Sequence, residues 1–123
     1  MEKPLITQSD FIVLKNLLNR KSQPDNITLG KHISGASVIE NELVTAETVR
    51  LNSYVEVYDR HFKANQKIRI VMPDSVDLRN KWISVFAPLS VALLGHEQGD
   101  VVRLQMDGVE REVKVLKVIN HMH

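Results

Sequence analysis

The stretch LGKHISG, from Leu29 to Gly35, holds a glycine-lysine pair and a histidine, the residue types a phosphate loop or a metal site would use. A phosphate loop also needs a second glycine and a hydroxyl residue at set spacing, so that successive N–H groups cradle the anion, and LGKHISG lacks that pattern. The five histidines are His32, His61, His96, His121 and His123. None forms the i, i+4 pair that would bring two imidazoles onto one helix face. They are expected at the surface or in the C-terminal tail. With no cysteine in the chain, a thiol nucleophile, a thiolate zinc site and a disulfide scaffold are all excluded. Serine, histidine and aspartate are present, but no order marks a nucleophile, its base and an orienting acid. The residues call for no catalysis, no metal and no cofactor.

The balance of charge narrows the class further. Across 123 residues, 43% hydrophobic and 25% charged, the net charge is only +1, and no basic run exceeds Arg20-Lys21. A surface built to hold nucleic acid clusters its cations, so sequence-specific nucleic-acid binding is not expected, and the alternating charges read as a solvated face. The start, MEKPLITQSDF, lacks the basic and long apolar stretches of a signal peptide. No apolar run approaches the ~18–20 residues that span a bilayer. A cytoplasmic chain without a membrane partner is expected.

The elements that must position any functional surface follow from periodicity. Thr7 and Asp10 fit a capping box with Asp in place of Glu. It opens a helix whose apolar face is Phe11, Leu14, Leu17 and Leu18. The stretch SQPDN breaks that helix at Pro24. A second helix is predicted from about Thr28 to Val38 through Leu29, Ile33 and Ala36, weakened by Gly30 and Gly35. The two would form an antiparallel hairpin. From Val49 the period becomes two, giving strands in VRLNSYVEVYD, QKIRIVMP and KWISVFA. Pro88 suits a first helical turn and Gly95 a left-handed stop, so a short helix lies between them. Gly99-Asp100 then turns the chain into DVVRLQM, and Asp107 to Val109 makes a hairpin with EREVKVLKVIN. That last strand is apolar on both faces, as a central strand is. The fold class is α+β: a short N-terminal helical hairpin over 1–48, then an antiparallel sheet of about five strands with one short helix over 49–123. Trp82 is expected in the core, with Leu93 and Leu94, while Gly95, Gly99 and Asp100 read as turn residues.

ISVFAPLSVALLGHEQGDVVRL, with NSYVEVYD before it and EREVKVLKVI after it, resembles the C-terminal domain of the GreA/GreB transcription elongation factors. It is similar above all to their short Rnk-like relatives, regulators of nucleoside diphosphate kinase. The pattern is a strand, a small residue and proline, an aliphatic helix ending in Leu-Gly, a polar stretch, and Asp before a valine-rich strand. The resemblance implies an FKBP-like fold for 49–123 and docking at the rim of the secondary channel of bacterial RNA polymerase. It places the contact at Phe86, Ala87 and Pro88. In the Gre factors a long coiled-coil arm carries acids that help hold a metal ion in the polymerase active site, because carboxylates supply oxygen ligands to a hard cation. Here the corresponding arm is short, about 20 Å for a 13-residue helix. Its tip, RKSQPDN, offers Asp25 as the single acid beside Arg20 and Lys21. The implied function is a non-enzymatic regulator that binds polymerase without stimulating transcript cleavage. The alternatives are a generic protein-binding module and, from the shared fold alone, a prolyl isomerase, whose aromatic pocket a chain with 5% aromatic residues can scarcely line.

Overall fold

The computed structural model describes residues 5–20, 25–39, 46–106 and 108–120. The N-terminal part runs β1 (Leu5–Thr7), α1 (Gln8–Arg20), α2 (Asp25–Ser34) and β2 (Ser37–Ile39). As predicted, Thr7 caps α1: its Oγ1 accepts the Asp10 N–H at 3.2 Å. Leu14 and Leu17 of α1 are buried with Leu29 and Ile33 of α2, and Phe11 and Leu18 pack at their edge. The second helix begins three residues before the predicted Thr28, because Asp25 and Asn26 open it instead of closing a turn. It also ends earlier, since Ser37–Ile39 pairs in parallel with Leu5–Thr7. Two three-residue strands carry no period of their own, and their pairing spans the whole hairpin.

Gly30 lies inside α2, and a Cβ built there meets nothing within 4 Å. Alanine at this position restricts the unfolded chain without a clash. Gly30→Ala is therefore expected to stabilise the protein by about 0.5–1 kcal/mol, read as a raised urea midpoint at unchanged slope. A lowered midpoint would show that α2 needs the glycine.

The larger sheet comprises β3 (Tyr54–Asp59), β4 (Ala64–Val71), β5 (Trp82–Ser84), β6 (Val101–Met106) and β7 (Val109–Ile119), in the order β5-β4-β3-β7-β6. The short helix α3 spans Pro88–Leu93. The α+β class is thus as expected, with the pairs β4–β3, β3–β7 and β7–β6 antiparallel. The edge strand β5 joins in parallel, and two single 3-10 turns, Pro73–Ser75 and Leu78–Asn80, carry the chain across to it. The β6–β7 hairpin closes with Met106 opposite Val109 and Gly108 at φ +78°; Asp107 lies outside the described residues.

One irregularity sets which side chains of β7 face inward. Glu56 pairs with Lys117 but Val57 pairs with Val115, so Leu116 is a bulge residue. The extra residue shifts the phase: Val113, Val115 and Val118 are all buried, while Lys117 faces out. The strand is apolar on two alternating sets because its register slips by one, and β7 is also an interior strand, between β3 and β6.

The inner face of this sheet, α3 and the helical hairpin share one apolar cluster, with Leu14, Leu29, Val49, Ile70, Leu93 and Val115 among its fully buried members. Polar ties reinforce it. Asp10 Oδ2 accepts the Leu51 N–H at 3.0 Å and lies 3.7 Å from Arg50 Nε. Burial raises the Asp10 carboxyl above its ordinary value, against the opposing hydrogen bond from Leu51 and the charge of Arg50. The Asn120 amide donates to the carbonyls of Ala46 and Thr48 at 3.0 and 2.8 Å, stapling the approach to the sheet.

Candidate functional site

The junction from β5 to α3 follows from three residues. Ser84 Oγ accepts the Phe86 N–H at 3.0 Å, and the Ser84 carbonyl accepts the Ala87 N–H at 2.9 Å, which turns the chain out of the strand. Ala87 is extended at φ −62° and ψ 142°, the geometry that a following proline favours. Pro88 occupies the first helical turn, where its missing N–H costs nothing, and the Ala87 carbonyl accepts from Val91 at 3.0 Å. Phe86 and Leu89 pack against the core, which leaves Ala87 half-buried and Pro88 exposed. The result is a rigid knuckle whose three residues, Phe86, Ala87 and Pro88, stand together and carry no charge. None of the three side chains can transfer a proton or attack a carbonyl.

Behind the knuckle the turn residues act as predicted. Gly95 stops α3 at φ +87° and Gly99 turns at φ +98°. Asp100 Oδ2 accepts the Glu97 N–H at 3.0 Å and approaches His96 Nδ1 at 3.3 Å. Beside it, His32 of α2 places Nε2 2.7 Å from the Leu94 carbonyl. A carbonyl only accepts, so that nitrogen carries the hydrogen. Burial lowers the His32 pKa, outweighing the bond to Leu94, and the neighbouring His96 lowers it further. His32 is therefore a half-buried tie between α2 and the end of α3, and His96 is half-buried against Asp100 of its own turn; neither is the surface residue expected. Their signal was invisible in spacing, because residues 62 positions apart form the bond.

The tip of the hairpin is only partly described. Arg20 ends α1 and Asp25 opens α2, whereas Lys21 lies outside the described residues. The structure does not bring Arg20 and Asp25 to Phe86–Pro88, which belongs to the sheet edge. The 13 residues of α1 span about 20 Å. Among the described residues no group of three or more His, Cys, Asp or Glu could hold a metal ion, and no helix is long and apolar enough to cross a membrane.

Trp82 departs from its expected place in the core. It is half-buried on the outer face of the sheet, where the Arg69 guanidinium lies 4.6 Å from its ring centre and 4.8 Å from that of Tyr54. Sequence reasoning missed this cluster. The one available signal is that Tyr54 and Arg69 fall on the polar alternation of their strands.

Residues 44–120 match the family model described as the C-terminal part of the transcription elongation factors GreA/GreB. The chain is 33% identical over 87 residues to transcription elongation factor GreA of Alkalilimnicola ehrlichii, covering 70% of this chain and 55% of that protein. It is 31% identical over 86 residues to GreA of Acidiphilium cryptum, again with 70% and 55% covered. The chain thus spans about half the length of the curated relatives it matches. Among solved structures, a prokaryotic transcription elongation factor GreA/GreB from Nitrosomonas europaea superposes with a TM-score of 0.78 at 28% identity, covering 98% of this chain and 100% of that one. The GreA factor homolog Gfh1 of Thermus thermophilus shares the fold at a TM-score of 0.52 and 20% identity, over 97% of this chain and 100% of that one. The family match covers more than half of the residues and encloses β3 to β7, α3 and the Phe86–Pro88 knuckle, so this chain belongs to the GreA/GreB transcription elongation factor family.

Proposed function

We propose that this chain is a non-enzymatic transcription regulator that docks on bacterial RNA polymerase at the rim of its secondary channel, in the manner of the Rnk-like members of the family. Residues 49–123 form the docking domain and residues 1–48 a short arm. The observation that carries this reading is the family match over 44–120, which encloses an uncharged Phe86–Ala87–Pro88 knuckle, exposed at Pro88 and held by Ser84. An apolar knuckle on a stiff scaffold is suited to insertion against a partner, since little is lost in ordering it. The arm argues against transcript cleavage. A helix of 13 residues reaches only about 20 Å, and RKSQPDN holds one acid where a metal-holding tip needs a pair. The chain would occupy the channel mouth and exclude longer-armed factors from it. Such a partner places it in the cytoplasm.

The test is binding of the full chain to core RNA polymerase, wild type beside Pro88→Asp, with GreA as competitor. Aspartate is well tolerated in a first helical turn, so the variant keeps its fold while a charge enters the contact. Pro88→Asp is expected to bind at least about tenfold more weakly, GreA to displace the wild type, and stalled transcripts to stay uncleaved. Absence of binding by folded wild type overturns the reading in favour of a generic protein-binding module. Cleavage comparable to GreA overturns the part that concerns the arm.

A further inference from the structure

The outer face of the larger sheet carries a groove of about 380 Å³, lined by Tyr54, Glu56, Lys67, Arg69, Trp82 and Ile119 together with Lys117. The strand register arranges these side chains in two rows. Trp82, Arg69, Tyr54 and Ile119 are successive cross-strand neighbours, and Lys67, Glu56 and Lys117 form the row beside them. Arg69 is the centre. Its guanidinium is held between the Tyr54 and Trp82 rings, and its Nε donates to the Asn52 carbonyl at 3.1 Å. Among the described residues its two terminal nitrogens have no acceptor. A stacked and tethered arginine loses little freedom when its fork meets a carboxylate, and it meets one bidentately.

The rest of the groove specifies what carries that carboxylate. Glu56 offsets one cation, and the Asn65 amide donates to it at 3.4 Å. The face keeps an excess of two positive charges from Lys67, Arg69 and Lys117, so the ligand is anionic. Arg69 and Lys67 stand two residues apart on β4, about 6.6 Å, which is also the spacing of alternate side chains in an extended chain. Ile119, 43% exposed, and the outer ring faces offer apolar surface between the cations. A nucleic-acid backbone fits less well. Glu56 interrupts the cationic row, and Arg69 already occupies one face of each ring that a base would use.

We propose that this groove is a docking site for an extended acidic segment of a partner protein, with alternate carboxylates on Arg69 and Lys67 and the intervening apolar side chains against Ile119 and the rings. The site is independent of the polymerase reading, and none of its lining residues is Phe86, Ala87 or Pro88.

Trp82 is the single tryptophan and sits in the groove, so the protein reports its own occupancy. The probe is a fluorescein-labelled decapeptide alternating glutamate and leucine, followed by anisotropy, with an unlabelled copy for Trp82 emission. Its comparators are the lysine-leucine counterpart and oligouridylate. Saturable binding of the acidic peptide with a change in Trp82 emission is expected. Arg69→Gln should weaken it about tenfold or more, and Arg69→Lys should rescue only part because it lacks the fork. Lys67→Gln with Lys117→Gln, which spares the stacked cluster, should weaken it as well and flatten its salt dependence. Lys15→Gln on α1 should change nothing. Absence of acidic-peptide binding, equal binding of the basic peptide, or tighter binding of oligouridylate would overturn the proposal, as would unchanged affinity in folded Arg69→Gln.

Discussion

Asp59→Ala is expected to destabilise the protein by about 3–5 kcal/mol, the cost of leaving a buried charge without its partner. Asp59 ends β3 at 1% exposure and is bound from three directions. Arg111 of β7 donates to it through Nε at 2.9 Å and through Nη2, while the His61 and Phe62 N–H groups donate to Oδ1 at 2.9 and 3.3 Å. The Phe62 ring covers the guanidinium at 4.8 Å. One carboxylate thus closes the β3–β4 turn and locks β3 to β7. At roughly 3–5 °C per kcal/mol for a chain of this size, the melting temperature should fall by more than about 10 °C. The paired replacement Asp59→Leu with Arg111→Met should recover only part of the loss, because it removes both charges together but leaves the His61 and Phe62 N–H groups without their acceptor. A single variant melting within about 1 kcal/mol of wild type would show that the pair is not holding the turn.

The same site fixes a pH response. Burial alone would raise the Asp59 pKa, but the Arg111 hydrogen bonds, the two backbone donors and the Arg111 charge bring it below its ordinary value. The unfolded chain therefore takes up a proton at higher pH than the folded one. The stabilisation from Asp59 is complete above about pH 4, the unfolded value, and disappears as pH falls through the lowered folded value. Wild-type melting temperature should drop steeply below about pH 4. Asp59→Asn, already weakened at neutral pH, should show a shallower drop over that window. Parallel curves would place the acid response elsewhere.

The second large effect concerns the join between hairpin and sheet. Leu14 is completely buried on α1 within the cluster that includes Leu29, Val49 and Leu93. Leu14→Ala should cost about 2–5 kcal/mol, the range for emptying a leucine site in a packed core. Because that cluster runs continuously into the sheet, helical circular dichroism and Trp82 fluorescence should report one transition at the same lowered temperature. Loss of the helical signal while Trp82 emission stays native would show that 1–48 unfolds as a separate unit.

Much of the architecture was legible because it rests on local rules. The Thr7 cap, the Leu14–Leu17 face, Pro88 at the start of α3 and the left-handed glycines at 95 and 99 each follow from a few neighbouring residues. The order of strands and turns also carried the family resemblance. Other features depended on partners distant in sequence. The parallel pairing of Leu5–Thr7 with Ser37–Ile39 joins strands too short to show a period. The bulge at Leu116 is set by β3, since a one-residue slip alone brings Val118 into phase with Val115. His32 met Leu94, and Arg69 met Tyr54 and Trp82, only when separate elements packed.

By itself, then, the sequence determined the α+β class and the succession of elements, because each reflects periodicity or backbone chemistry within a few residues. The tertiary structure decided which polar side chains became buried ties and which aromatic and cationic residues became a surface. Burial and juxtaposition are properties of the packed chain, and no local spacing contains them.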